Sequence, residues 1–159
     1  RVVWFGGLGN PNGTTQSDAS TKNNTITFVE IATTGNAEDF GTLPTKTNSA
    51  TASSNGVRGF VMGGQAPSPY GSGDIFFITF ATKGDATDFG DNLATSPSYL
   101  PNIGTVANRN KAIVAAGVTI NVIQSFSMHT TGLSADFGDL TLARYAPGGV
   151  SDSHGGLTE

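Results

Sequence analysis

The chain has 159 residues, of which 36% are hydrophobic and 13% are charged, and its formal net charge at pH 7 is -4. This length is enough for one domain with a buried core, and recurring apolar clusters with little net charge exclude an intrinsically disordered segment. The eight Lys and Arg residues are scattered and form no basic stripe, which argues against a nucleic-acid partner. The absence of Cys excludes a disulfide framework and thiolate metal sites.

The sequence shows no membrane span and no signal peptide. No apolar run approaches the roughly 20 residues that a membrane-spanning helix needs, so we expect no membrane insertion. The first residue is Arg1 rather than Met, and we expect the sequence to be a processed product or a piece of a longer chain.

The first predicted strands lie on either side of a long polar loop. They are "RVVWFGG" from Arg1 and "ITFVEI" from Ile26, short runs of β-branched and aromatic residues that predict β-strands. The two glycines that end the first strand permit a positive φ at a turn. The segment "FGTL" from Phe40 fits a further short strand. No stretch of the chain has a convincing helical period with caps, so we expect almost no helix.

The same order of elements recurs twice more along the chain. In the second copy "SATASSNGV" precedes "RGFVMGG" and "IFFITF", and in the third "IGTVANRN" precedes "KAIVAAG" and "IQSFSM". Every copy continues with Thr-x-Gly-x-x-x-Asp-Phe-Gly, at 33–41, 82–90 and 130–138. The Phe residues lie 49 and 48 residues apart, and a fixed period of this length predicts a repeat architecture. Apolar residues on both faces of the strands predict sheets stacked against one another.

The repeated Asp-Phe-Gly is more consistent with a structural motif than with a catalytic one. A protein kinase uses one such motif to hold metal, but this chain has three copies and no His-Arg-Asp catalytic loop. As a structural motif, each Phe would be buried between its own sheet and the next, each Gly would let the chain turn, and each Asp would accept backbone N–H bonds. We therefore predict three pairs of structural anchors: Phe40 and Gly41, Phe89 and Gly90, and Phe137 and Gly138.

Two consequences follow from this structural interpretation. Truncating a buried Phe, as in Phe137→Ala, is expected to cost roughly 3–5 kcal/mol. A cation site made by Asp85, Asp88 and Asp91 is the alternative, but the other copies do not keep these ligand positions. We therefore expect no metal.

The repeats resemble a known family. Four short strands per unit of roughly 49 residues, with Gly-Gly after an apolar strand, are typical of a kelch-type β-propeller blade. The pattern "R-x-x-x-x-G-G" resembles kelch, although Phe stands where that family usually has Trp. More closely, "FVEIATTGNAEDFGTL" and "ADFGDLTLARY" resemble the kelch-like repeats of marine phage, including cyanophage, virion proteins, and this similarity covers nearly the whole chain. It implies a virion appendage or tail-fibre-type structural protein and no chemistry.

We predict an all-β fold, with residues 1–159 as a single repeat domain of kelch-like β-propeller blades. The approximate units are 1–46, 47–95 and 96–145, with the start of a further unit at 146–159. Ordinary propellers have four to eight blades, so three repeats are expected to be part of a larger or oligomeric propeller. A β-trefoil-like threefold repeat is the alternative.

No combination of residues predicts catalysis. His129 and His154 lie in different contexts, and no Gly-x-Ser-x-Gly elbow is present. The stretch "GGLGNPNG" lacks the last glycine of the dinucleotide fingerprint and is not followed by a helix. Trp4 could stack on a sugar, but its apolar neighbourhood favours packing in the core. We predict no enzyme activity, no catalytic residues and no cofactor.

The loops after the second and fourth strands of each unit emerge on one face, and they differ greatly between copies. The loop after the second strand covers 8–24, 65–73 and 118–121. Repeats of constant length with variable loops suggest a scaffold that presents a binding surface. Tyr, Asn, Gln and Asp side chains match sugar hydroxyls or a protein surface. The candidate binding residues are Asn10, Asn12, Gln16, Asp18, Tyr70, Tyr99, Arg144 and Tyr145.

We therefore expect a non-enzymatic structural or adhesive protein, a component of a phage virion appendage or fibre, located on the virion surface or extracellularly. Its expected partners are other virion proteins, copies of itself, or a glycan or protein receptor on the host surface. The alternatives are a glycan-active enzyme on a propeller scaffold and a bacterial cell-surface adhesin.

Overall fold

The structure is a computed structural model that describes residues 1–9, 22–65, 73–92, 103–117, 120–144 and 146–151. Within these ranges the regular structure consists of β-strands, and no helix is present. The all-β class predicted from the sequence is confirmed, because the short β-branched and aromatic runs between Gly- and Asn-rich turns do form strands.

Three antiparallel sheets follow one another along the chain, and in each sheet the order of the strands is their order in the sequence. The first sheet contains β1 (Val2–Phe5), β2 (Asn23–Val29) and β3 (Glu38–Thr47). The second contains β4 (Thr51–Ser54), β5 (Arg58–Met62), β6 (Asp74–Thr79) and β7 (Thr87–Asp91). The third contains β8 (Gly104–Ala107), β9 (Lys111–Gly117), β10 (Ile120–Ser127) and β11 (Ala135–Asp139).

Each Asp-Phe-Gly motif lies inside the last strand of its sheet and forms a β-bulge. In the second sheet Ile75 pairs with Gly90 whereas Phe76 pairs with Asp88, so Phe89 is an extra residue on β7. The same shift in register makes bulge residues of Phe40 on β3 and Phe137 on β11.

The glycine of the motif is needed by this bulge. The φ angles of Gly41, Gly90 and Gly138 are 153°, 142° and 139°, in a region that favours residues without a Cβ. The turn predicted at this point was therefore wrong: the glycine shapes a strand instead of ending one.

Two apolar cores lie between the three sheets. The core between the first and second sheets contains Ile26, Phe28, Phe40, Leu43, Val61, Phe76, Ile78 and Ala86. The core between the second and third contains Phe60, Met62, Ile75, Phe89, Ile103, Ala112, Val114, Phe126 and Met128. Strands β5 and β6 supply both cores because successive side chains of a strand point to opposite faces. The second sheet is therefore buried on both faces, as the apolar residues on both faces of its strands predicted.

Within the described ranges no further sheet covers the outer face of the first or the third sheet. Phe40 and Phe89 are 3% and 2% exposed, but Phe137 is 58% exposed and Trp4 is 53% exposed. The burial predicted for Phe137 and for Trp4 was wrong for one reason. Each side chain points to the side of its sheet on which no further sheet of the described chain lies.

Candidate functional site

The first candidate site is the Asp-Phe-Gly bulge, where the following sheet docks. The N–H of Gly84 donates to the carbonyl of Phe40 at 2.9 Å, and the N–H of Ala86 donates to the carbonyl of Thr42 at 2.8 Å. Oδ1 of Asp85 accepts bonds from the N–H and the hydroxyl of Thr42, at 2.8 and 2.9 Å. We call the Thr-x-Gly-x-x-x segment the donor segment, because its backbone N–H groups join the second sheet to the first, while the Asp85 carboxylate adds an acceptor.

The same junction recurs one repeat later. The N–H of Gly132 donates to the carbonyl of Phe89 at 3.0 Å, and the N–H of Ser134 donates to the carbonyl of Asp91 at 2.8 Å. Leu133 occupies the place of Asp85 and has no carboxylate to offer. The repeated motif therefore has a repeated task, which is to join consecutive sheets.

Close backbone approach is a second reason for the glycine of the motif. A Cβ on Gly41 would overlap the carbonyl of Gly84, and a Cβ on Gly90 would overlap the carbonyl of Gly132. Gly138 has the same positive φ, but no atom of the described residues lies within 4 Å of the position that a Cβ would take there. The third bulge is thus built like the other two, and no described segment covers it.

The carboxylates of the motif accept backbone hydrogen bonds. Oδ1 of Asp88 accepts the N–H of Gly90 at 3.0 Å, and Oδ1 of Asp136 accepts the N–H of Gly138 at 3.1 Å. These bonds stabilise the bulge, where a carboxylate that accepts an N–H contributes about 1.5–3 kcal/mol at most. Within the described ranges no three His, Asp or Glu residues form a group that could hold a metal ion.

The second candidate site is the loop-bearing edge that the sequence predicted. Of the predicted binding residues only Arg144 lies in the described ranges. It is exposed and lines a cavity of about 240 Å³ together with Ile113, Ala115 and Pro147. The other predicted residues lie outside the described residues: Asn10, Asn12, Gln16, Asp18, Tyr70, Tyr99 and Tyr145.

The bases of two of these loops are fixed by hydrogen bonds. Leu8 and Lys22 form an antiparallel bridge below the segment 10–21, and the N–H of Asn23 donates to the carbonyl of Gly7 at 2.9 Å. Asn48 and Gln65 form a second bridge where the segment 66–72 begins. Both loops therefore start from ordered backbone at the same edge of the sheets.

Buried polar atoms gather at this loop-bearing edge. Oγ1 of Thr47, Oδ1 of Asn48 and Oδ1 of Asn92 are buried and find no hydrogen-bond partner in the part of the chain that the structure describes. An unsatisfied buried polar group costs about 1–3 kcal/mol. The edge therefore has polar capacity for a further group, supplied by a loop, by water or by a ligand.

A third candidate site, which the sequence did not predict, lies at the opposite edge between the β4–β5 and β8–β9 turns. It is an open cavity of about 580 Å³, lined by Asn55, Asn108, Arg109, Asn110 and His129. Oδ1 of Asn108 accepts the N–H groups of Asn110 and Lys111, both at 2.8 Å, and Asn55 caps the N–H of Arg58 in the same way. The only sequence signal for this site is the repeated Asn-x-x-Arg/Lys pattern, and its Asn side chains accept backbone N–H bonds within the turns.

The imidazole of His129 is held at the rim of this cavity. Its Nε2 lies 3.2 Å from Oδ1 of Asn110, within hydrogen-bond distance. The cavity thus offers amide, imidazole and guanidinium groups suited to binding a polar molecule. His154, the other histidine, lies outside the described residues.

Comparison with known proteins finds no family model that matches this chain and no curated protein that is significantly similar to it. In the described ranges no helix is long and apolar enough to cross a membrane.

Proposed function

We propose that this chain is a non-enzymatic segment of a kelch-like β-propeller that presents polar loops for attachment, as a component of a phage virion appendage or fibre. The observation that carries the proposal is the ordered backbone from which two loops start: Leu8 is bridged to Lys22 across the base of the segment 10–21, and Gln65 is bridged to Asn48 where the segment 66–72 begins. A rigid scaffold with ordered loop bases suits recognition by loops, because the scaffold does not reorganise when the loops bind.

The blade interpretation is supported by the sheet order and by the junctions. Each sheet is a meander in chain order, one sheet corresponds to one repeat, and consecutive sheets stack face to face through the same Asp-Phe-Gly junction. Radial repetition of such sheets is the architecture of propellers. A trefoil-like arrangement would not stack one complete meander on the next.

A glycan on the host surface is the ligand that we favour for the loop-bearing edge. The predicted loop residues are amides, a carboxylate and tyrosines, which can hydrogen-bond to sugar hydroxyls and stack on sugar rings.

The test is to shorten one loop while keeping its base. Residues 10–21 are replaced by a four-residue turn, and Leu8, Lys22 and Asn23 are retained. We expect Tm to change little, because shortening a loop threefold, from 12 to 4 residues, changes the free energy of loop closure by only about 1 kcal/mol. Binding to marine bacterial cells and to their purified surface polysaccharides should weaken at least tenfold.

A matched control addresses the opposite cavity. Arg109→Ala combined with His129→Ala changes the third candidate site and should leave binding unchanged. Equal binding by the loop-shortened variant and the parent would overturn the proposal for the loop edge. Release of new reducing ends from the polysaccharides by the parent would favour the glycan-active enzyme instead.

A further inference from the structure

We propose that the two uncovered sheet faces bind each other between two copies of this chain, head to tail, so that the first sheet of each copy covers the third sheet of the other. The inference rests on the propeller architecture in the proposed function and does not depend on glycan binding. We expect the contact between copies to have the same geometry as the two junctions between consecutive sheets of one chain.

The outer face of the first sheet and the outer face of the third sheet correspond to the two faces that meet at each junction between consecutive sheets. In β5, Phe60 and Met62 point to the following sheet, whereas Val61 points to the preceding one. By the same register Ile113 and Ala115 of β9 point outward from the third sheet, and Trp4 of β1 points outward from the first. The outer face of the third sheet thus presents the side chains that, in the second sheet, contact the following sheet. The outer face of the first sheet presents the side chains that, in the second sheet, contact the preceding sheet.

The sizes of the side chains at these ends are complementary. At the position that faces the preceding sheet, the second and third sheets have Val61 and Val114. The first sheet has the much larger Trp4 at this position. At the position that faces the following sheet, the second sheet has Met62, whereas the third sheet has the smaller Ala115. The cavity of about 240 Å³ beside Ile113 and Ala115 is where a large ring from the partner would enter.

Hydrogen-bonding groups at the ends match as well. The carbonyls of Phe137 and Asp139 stand in the register of Phe89 and Asp91, which accept bonds from the next sheet. The donor segment of the first repeat, with Gly35 and Ala37, is exposed. Gly35 of a second copy would cover Gly138, whose Cβ side is open.

The described residues also include a segment that would supply a fourth strand to the first sheet. Among the described residues the second and third sheets have four strands and the first has three, without a counterpart of β4 or β8. A cavity of about 270 Å³ lies at that position, lined by Val3 and Phe5 of β1 and by Ala52 of β4.

Residues 148–150 occupy the repeat register of the missing strand. They correspond to Gly104–Val106 of β8, and Gly149 lies against Val106 as β8 lies against β4. Val150 is 95% exposed. Following the pairing of β8 with β9, Gly148, Gly149 and Val150 of one copy would pair with Phe5, Trp4 and Val3 of the other.

Two copies of the three described sheets fit a closed ring. Propellers have four to eight blades, and six is the only multiple of three in that range. Two copies related by a twofold axis would make two identical junctions, and a closed point group leaves no sheet face uncovered.

The first measurement uses light scattering and the fluorescence of Trp4, the only tryptophan in the chain. We expect a particle of twice the 16.2 kDa chain mass. On dilution, dissociation should shift the Trp4 emission to longer wavelength with the same midpoint as the change in mass. A monomer at all concentrations up to the solubility limit would overturn the proposal.

Variants test which surfaces are involved. Phe137→Glu and deletion of residues 146–159 should each weaken the dimer at least 100-fold while the far-ultraviolet circular dichroism stays unchanged. Val57→Glu is the matched control, because Val57 is 63% exposed and lies on a turn outside both faces. Deletion of residues 152–159 alone should leave the dimer intact. A dimer that tolerates both Phe137→Glu and the longer deletion uses another surface.

Engineered cysteines test the head-to-tail orientation, because the natural chain has none. Asn36→Cys with Asp139→Cys should form disulfides between chains, whereas Thr42→Cys with Asp85→Cys, the internal equivalent, should close within one chain. Cross-linking by Asn36→Cys alone would show face-to-face pairing and overturn the proposal. Glycan binding by the monomeric Phe137→Glu variant is measured separately, so that failure of assembly and failure of the proposed function are distinguishable.

Discussion

The second and third Asp-Phe-Gly motifs have the same local structure and different surroundings. Both have a Phe at the bulge, an Asp that caps the glycine N–H and a glycine with φ near 140°. Phe89 is 2% exposed and Phe137 is 58% exposed. The comparison shows that the motif encodes a bulge, and that the neighbouring sheet decides whether its Phe becomes part of a core.

The ring contacts show the same contrast. The ring of Phe89 lies 5.0 Å from that of Phe60, 5.6 Å from Phe77 and 5.9 Å from Phe126. The ammonium nitrogen of Lys111 lies 5.8 Å from the centroid of the Phe137 ring. Aromatic pairs contribute about 0.5–1.5 kcal/mol beyond burial, and an exposed cation–π contact about 0.5–1 kcal/mol. Phe89 is therefore the more important of the two for a single chain.

The largest expected effect is the difference between Phe89→Ala and Phe137→Ala. We expect Phe89→Ala to lower the free energy of unfolding by about 3–5 kcal/mol, because it leaves a cavity in a packed core. Phe137→Ala should cost less than about 1 kcal/mol where the chain is monomeric. Urea unfolding at low protein concentration measures both, and equal losses would mean that Phe137 is covered within one chain.

Alanine at the two glycines comes next. Gly90→Ala and Gly138→Ala share the backbone strain of a positive φ, about 1–3 kcal/mol. Only Gly90→Ala also forces a Cβ against the carbonyl of Gly132. We expect Gly90→Ala to be the more destabilising variant in urea unfolding of the monomer. Similar losses of unfolding free energy for the two variants would show that the Gly132 backbone moves away from the new Cβ at no cost in stability.

Asp85→Ala tests the difference between the two junctions. Asp85 accepts two hydrogen bonds from Thr42, and Leu133 stands at the equivalent place in the second junction. Because Asp85 is exposed, we expect Asp85→Ala to cost about 1 kcal/mol and Leu133→Ala to cost almost nothing. Thermal melts of both variants provide the measurement, and a larger loss for Leu133→Ala would contradict the assignment.

The smallest expected effect concerns acid pH. The Arg1 guanidinium donates a hydrogen bond of 2.6 Å to Glu30 and holds the pKa of that carboxyl below its usual value of 4.5. The stabilisation is therefore complete above the usual pKa and is lost as pH falls through the lowered pKa of the folded state. Glu30→Gln should lower Tm slightly at neutral pH and match the parent in stronger acid. A difference that persists in acid would rule out this linkage.

The sequence determined the strands, their order and the period of the repeat. Apolar runs such as "IFFITF" form strands wherever they occur, because β-branched and aromatic residues suit a pleated, half-buried surface. Phe40, Phe89 and Phe137 mark the repeated motif in the sequence, and each of them lies at a β-bulge. The loop residues proposed for binding, apart from Arg144, stay predictions.

Only the tertiary structure decided what the motif does at each position. The bulge depends on a shift of register between two strands, and a sequence pattern does not contain that shift. The burial of a Phe depends on whether another sheet lies against it, so Phe137 and Trp4 are exposed although their neighbours in sequence are apolar. Repetition specifies the same surface three times, but a stack of three sheets has two outer faces, and side chains on those faces can be covered only by something outside the stack.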